Sequence, residues 1–151
     1  MPSEILYLED LSIGQRFVSS EYVVREEEIK EFAGRFDPQP FHLDCEAAKG
    51  TFFAGLAASG WHTAAITMRL MVESVKIAGG MIGAGGQISW PKPTRPNDVL
   101  HVESEIVEIT PSRSRPDRGM ATVRSTTINQ DGETVQIFDA KVVVPRRGDQ
   151  R

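Results

Sequence analysis

The sequence predicts an α+β domain in which an antiparallel sheet wraps around one long central helix. Three observations carry that expectation. From Ser59 to Ala78 apolar residues run almost all round at helical spacing, and the second half of the chain alternates apolar with polar residues at the two-residue period of half-buried strands. Between two such runs, Asn129-Gln130-Asp131-Gly132 is a hairpin signal. With 151 residues and no repeat, linker or heptad run, the chain suits a single domain spanning residues 1–151 with a substantial core.

Taken in order, Gln15 to Arg25 reads as a first strand. Glu26 to Phe36 then changes to helical spacing, with Ile29, Phe32, Ala33 and Phe36 on one face and acids at the start, where they meet the positive end of the helix dipole. Asp37-Pro38 stops this helix, because proline bars its predecessor from helical geometry. Residues 37–42 form a loop stiffened by Pro38 and Pro40, and Leu43 to Lys49 offers one or two helical turns. Ser59 is the expected N-cap of the long helix, whose polar stripe is only Arg69, Glu73 and Lys76, so most of its circumference must be buried. A glycine-rich stretch and Met81 to Trp90 lead into a proline-marked connection. Strands are expected at Val99 to Ile109, Ala121 to Ile128 and Glu133 to Val144, with a bulge or change of exposure between Ile137 and Phe138, where the apolar parity shifts. A sheet this short leaves an open edge, which pairing in a homodimer would close.

Composition narrows the function classes. At 40% hydrophobic and 25% charged, the chain is neither disordered nor fibrous. The net charge of −4 opposes nucleic-acid phosphates. The single cysteine, Cys45, cannot form an intrachain disulfide, and the first residues lack a basic leader, so a cytoplasmic protein is expected. Phe52 to Trp61, the most apolar stretch, is too short and glycine-interrupted to span a membrane.

Two places could carry chemistry. Asp37 and His42 flank a loop whose prolines limit its freedom, so an acid and an imidazole can be held in fixed geometry for moving protons to and from water. The bland alternative is a helix-ending turn and a structural histidine. Ser59-Gly60 opens the long helix, where the Gly60 amide has no intrahelical partner and the missing side chain lets a carbonyl approach; the alternative is a plain cap and a packing glycine. Phe41 and Trp90 are candidate walls of an acyl site, or simply core aromatics. Lys92, Arg95, Arg113, Arg115 and Arg118 could meet phosphates, although a solvated surface accounts for the hairpin arginines. The run Gly79 to Gly86 follows a helix and precedes a strand, the reverse of a dinucleotide-binding order. No metal is expected, since Asp37, His42, Asp44, Cys45 and His62 lack ligand spacing; His62 reads as a polar residue one turn into the helix.

The stretch FAGRFDPQPFHLDCEAAKGTFFAGLAASGWHTAAITMRLM, followed by SWPKPTRPNDVLHVESEI, resembles the MaoC-like branch of the hotdog-fold (R)-specific enoyl-CoA hydratases. The family's Asp-x-Asn-Pro-x-His signature corresponds to Asp37-Pro38-Gln39-Pro40-Phe41-His42, and its small-Gly helix start to Ser59-Gly60. The resemblance implies a dimerising hotdog fold, with Asp37 and His42 activating water and the Gly60 amide on a thioester oxygen. It implies an acyl-CoA substrate, with Gln39, Phe41, Ser59, Trp61 and Trp90 around it and no separate cofactor. Two positions depart from the pattern. Gln39 replaces the family asparagine, and Met68, beside Thr67, stands where characterised members carry a serine. A hotdog thioesterase and a non-catalytic acyl-CoA-binding subunit are the competing readings.

Overall fold

The computed structural model describes residues 4–148. A short 3-10 turn, Leu8–Asp10, precedes strands β1 (Arg16–Val18) and β2 (Tyr22–Val23), helices α1 (Glu26–Phe36), α2 (Pro40–Leu43), α3 (Cys45–Lys49) and α4 (Gly60–Ser74), and strands β3 (Ile82–Ser89), β4 (Val99–Pro111), β5 (Arg118–Ile128) and β6 (Thr134–Pro145). The strands form one antiparallel sheet in the order β1-β4-β5-β6-β3, with β2 also paired to β4, and the sheet curls around α4 in the hotdog arrangement.

Alternation builds the inner face. Leu100, Val102 and Ile106 of β4, Ala121 and Val123 of β5, and Ala140, Val142 and Val144 of β6 are buried and meet Ile66, Leu70 and Met71 of α4 in one core. Each fully buried branched side chain contributes roughly 1.5–3 kcal/mol relative to exposure. Some inward positions are polar, and they pair. Ser104 bonds Ser125 at 3.0 Å, and Thr67 of α4 bonds Thr127 at 2.6 Å, so no hydroxyl of these pairs is left bare in the core. The hairpin turn forms where expected, with Asn129 Oδ1 accepting from the amides of Asp131 and Glu133 and Gly132 at φ +76°.

Several boundaries differ from the sequence reading. The first strand is two short ones: at Ser19 the amide still donates to the Val102 carbonyl, but the Val102 amide is taken by the Ser19 hydroxyl at 2.8 Å instead of by its carbonyl, and the regular ladder stops there. The loop 37–42 is partly helical, with Pro40 starting α2. The central helix ends at Ser74 rather than Ala78: the Ser74 hydroxyl bonds the Leu70 carbonyl, Val75 turns extended, and Lys76 and Ala78 instead pair through their backbones with Leu6. The register runs unbroken through Ile137 and Phe138; the irregularity lies opposite Thr127 and Ile128, near Val135, and the parity change comes from Gln136, an amide on the inner face.

The central helix is also less enclosed than its composition suggested. Trp61, Met68 and Val72 form an exposed apolar stripe at 60%, 41% and 40% accessibility, and Trp61 and Met68 line a groove of about 460 Å³ bounded by β3 and β6. Strand β3 is the sheet edge beside it, paired on one side only. Phe36, expected on the buried face of α1, lies exposed against Phe32 and Arg35. No helix among the described residues is long and apolar enough to cross a membrane.

Candidate active site

The end of α1, the α2 turn and the start of α4 bring the two sequence candidates together. Asp37 caps α1, and its carboxylate accepts the Ser59 hydroxyl at 2.6 Å and the Gln39 side-chain amide. Its Oδ2 lies 3.4 Å from His42 Nε2. The Ser59 hydroxyl in turn accepts the Trp61 amide at 3.2 Å, so one serine both caps α4 and ties the acid to it. Burial works against the Asp37 charge, but the hydrogen bonds from Ser59 and Gln39 and the attraction of His42 outweigh it and hold the carboxyl below its ordinary value.

His42 is buried, and its ring is fixed at the other end. Nδ1 lies 2.6 Å from the Ala57 carbonyl, an acceptor only, so Nδ1 carries the hydrogen and donates it. Nε2 is the atom that faces Asp37. Phe41 packs edge-on against the imidazole at 4.6 Å and against Phe53 at 5.1 Å. It braces the histidine instead of lining the open cavity. Arg95, a candidate for phosphate, spends its guanidinium on the carbonyls of Phe53, Gly55 and Leu56 at 2.6–3.1 Å, and so shapes the loop whose next carbonyl holds His42.

Gly60 begins α4, and its N–H has no partner among the described residues. A Cβ there would lie 2.7–2.9 Å from the Trp90 indole, so only glycine fits beneath that ring. An open cavity of about 500 Å³ is bounded by His42, Phe53, Ala58, Gly60, Trp90 and Arg95. Trp61 meets Trp90 edge to face at 5.3 Å but borders the neighbouring groove. Lys92 is on the cavity wall, paired with Glu133. Arg113 and Arg115 lie on the exposed β4–β5 connection, and Arg118 pairs with Asp117.

The family model of the MaoC like domain matches residues 10–129. The chain belongs to the MaoC-like dehydratase family. A MaoC-like dehydratase from Rhodospirillum rubrum is 61% identical in sequence and superposes with a TM-score of 0.93, covering 95% of this chain and 99% of that one. Among curated proteins, the uncharacterized protein YdeM of Bacillus subtilis is 35% identical over 91% of this chain and 96% of its own. A 3-hydroxybutyryl-CoA dehydratase of Methylorubrum extorquens is 28% identical over 95% of this chain and 87% of its own.

In this MaoC-like domain, two features of the site escaped sequence reasoning. From sequence Arg95 offers itself only as a phosphate ligand, because its three carbonyl partners lie about forty positions away in the chain. Gln136 accepts the Trp90 indole N–H at 2.8 Å; the parity shift in the last strand was its only trace in the sequence. His62 is buried and stacked on Phe32 at 4.8 Å, and burial pushes its pKa down. Among the described residues, no cluster of three His, Cys, Asp or Glu side chains is arranged to hold a metal ion.

Proposed function

We propose that this protein adds water across the double bond of a 2-enoyl-CoA, and in reverse dehydrates the matching 3-hydroxyacyl-CoA, with Asp37 and His42 as the acid–base pair and the Gly60 amide on the thioester oxygen. The observation that carries this reading is the pairing of a charged, hydrogen-bonded Asp37 with His42 Nε2 beside an unpartnered Gly60 N–H. A water held between Asp37 and His42 is polarised by both. Its oxygen attacks the β-carbon, and the alkene electron pair moves through the α-carbon onto the thioester oxygen, where the Gly60 N–H and the start of α4 stabilise the charge. The pair takes one proton from the water and delivers one to the α-carbon, which restores the carboxylate and leaves H and OH added across the bond. Gln39 and Ser59 keep the acid charged and oriented, while Trp90 walls the cavity that takes the acyl group. The substrate brings coenzyme A with it, so the reaction as written consumes no separate cofactor.

Support also comes from the name of the Methylorubrum relative, a dehydratase of a 3-hydroxyacyl-CoA. The open β3 edge favours a homodimer in which that edge is paired. The deciding experiment incubates the purified protein with crotonyl-CoA and follows conjugated-alkene absorbance and free thiol together. Loss of alkene without thiol is expected; thiol release would mean a thioesterase, and binding without conversion an acyl-CoA-binding subunit. Light scattering of the same sample is expected to give twice the chain mass, and a monomer would remove the dimer from the account.

A further inference from the structure

Strand β6 places one amide where the core should be greasy. Gln136 is fully buried on the inner face, in line with Phe138, Ala140 and Val142. Its Nε2 has no partner among the described residues, an arrangement that costs free energy and that a leucine would avoid. Its Oε1 makes a single directed contact, accepting the indole N–H of Trp90. Trp90 stands just beyond the last β3–β6 pair, Ser89 with Ile137, so the register itself sets the two side chains opposite each other.

What Trp90 does there gives the bond its meaning. The indole covers Gly60 closely enough to exclude a Cβ, and it walls the cavity that holds His42. Its neighbour Trp61 belongs to the second, apolar space between α4 and β3, together with Met68, Ile88 and Phe138. The two cavities share no wall residue, and the edge-to-face tryptophans stand between them.

We propose that Gln136 is a positioning residue that sets acyl-chain length, anchoring Trp90 as a rigid partition between the catalytic cavity and the apolar groove. The inference rests on the hydratase reading above. With the partition fixed, a short acyl group is confined beside Asp37 and His42, and a long one has no way into the groove. With the anchor removed, the indole can turn aside and the groove opens to the tail.

The test compares the full-length wild type with Gln136→Met, Gln136→Glu, Trp90→Phe and Gln136→Met/Trp90→Phe. Hydration is measured with four-carbon and ten-carbon trans-2-enoyl-CoA, beside the indole N–H signals of nitrogen-15-labelled protein. Expected is a wild type that favours the four-carbon ester, and a Gln136→Met variant in which the ten-carbon to four-carbon kcat/KM ratio rises about tenfold or more. Its Trp90 indole signal, identified by its loss in Trp90→Phe, should move upfield and exchange faster with water. Gln136→Glu, which keeps an acceptor oxygen, should restore both readouts. In the Trp90→Phe background, Gln136→Met should change the ratio no further. An unmoved indole signal in folded Gln136→Met would overturn the anchor, and a moved signal with an unchanged ratio would overturn the partition. A wild type that hydrates neither ester would instead bring down the hydratase reading and the chain-length role with it, an outcome distinct from either.

Discussion

The meander of β4, β5 and β6 and the strap from Asp37 to Gly60 are held together in different ways. In the meander, each strand pairs with its neighbour in sequence over ten or more residues, and the inner face is mostly aliphatic, with a few polar side chains that pair with one another or with α4. In the strap, the helices are short, and the shape depends on individual side chains reaching the main chain: His42 to Ala57, Ser59 to Trp61, and Arg95 to three carbonyls. The meander is redundant, so losing one contact weakens it by degrees. The strap has one bond per job, so losing one contact displaces a specific reacting group.

Substitutions can break this contrast. The largest effect belongs to Asp37→Asn, which keeps the shape of the strap and removes its charge. Turnover of crotonyl-CoA is expected to fall by about 10²–10⁴-fold in a protein that still folds, with only the modest loss of stability that removing the held charge brings; retained activity would remove Asp37 from the chemistry. Ile106→Ala, in the fully buried middle of β4, should do the converse. Denaturant unfolding is expected to show a loss of about 2–5 kcal/mol, with near-normal turnover from the molecules that remain folded.

A pH titration sharpens the comparison. The folded Asp37 pKa lies below its unfolded value, so its contribution to stability is complete above the unfolded value and is lost as pH falls through the folded one. Wild type should therefore lose stability faster than Asp37→Asn over that acid range, and parallel curves would show that Ser59 and Gln39 do not hold the charge. The smallest effect is expected on the outer face of the meander, where Arg124 and Asp139 pair in solvent. Arg124→Ala should leave the unfolding midpoint unmoved within error, and any shift should disappear in salt.

Legibility in the sequence follows the same division. The alternation in Val99 to Ile109 and the Asn129 to Gly132 turn are local signals, and the strands and hairpin formed where they indicated. Asp37 and His42 were legible because the two prolines and a fixed spacing lie within six residues. The break at Ser19, the early end of α4 and the roles of Arg95 and Gln136 were not, since each depends on a partner about forty or more positions away. Periodicity reports which face of an element is buried; it is silent on which distant carbonyl or indole a polar side chain will meet.

The contact between the first and last described segments has a further use. The Arg147 amide bonds Glu9, its guanidinium pairs with Asp10, and it lies over the Tyr7 ring at 4.6 Å. With those two stretches already touching, a short peptide could join them and the chain could be reopened in the exposed turn at residues 112–117. Strands β5 and β6 would then precede β1 along the polypeptide, yet every ladder and every contact of the strap would be kept. The order in which the parts emerge during synthesis would thus become adjustable separately from the architecture they form.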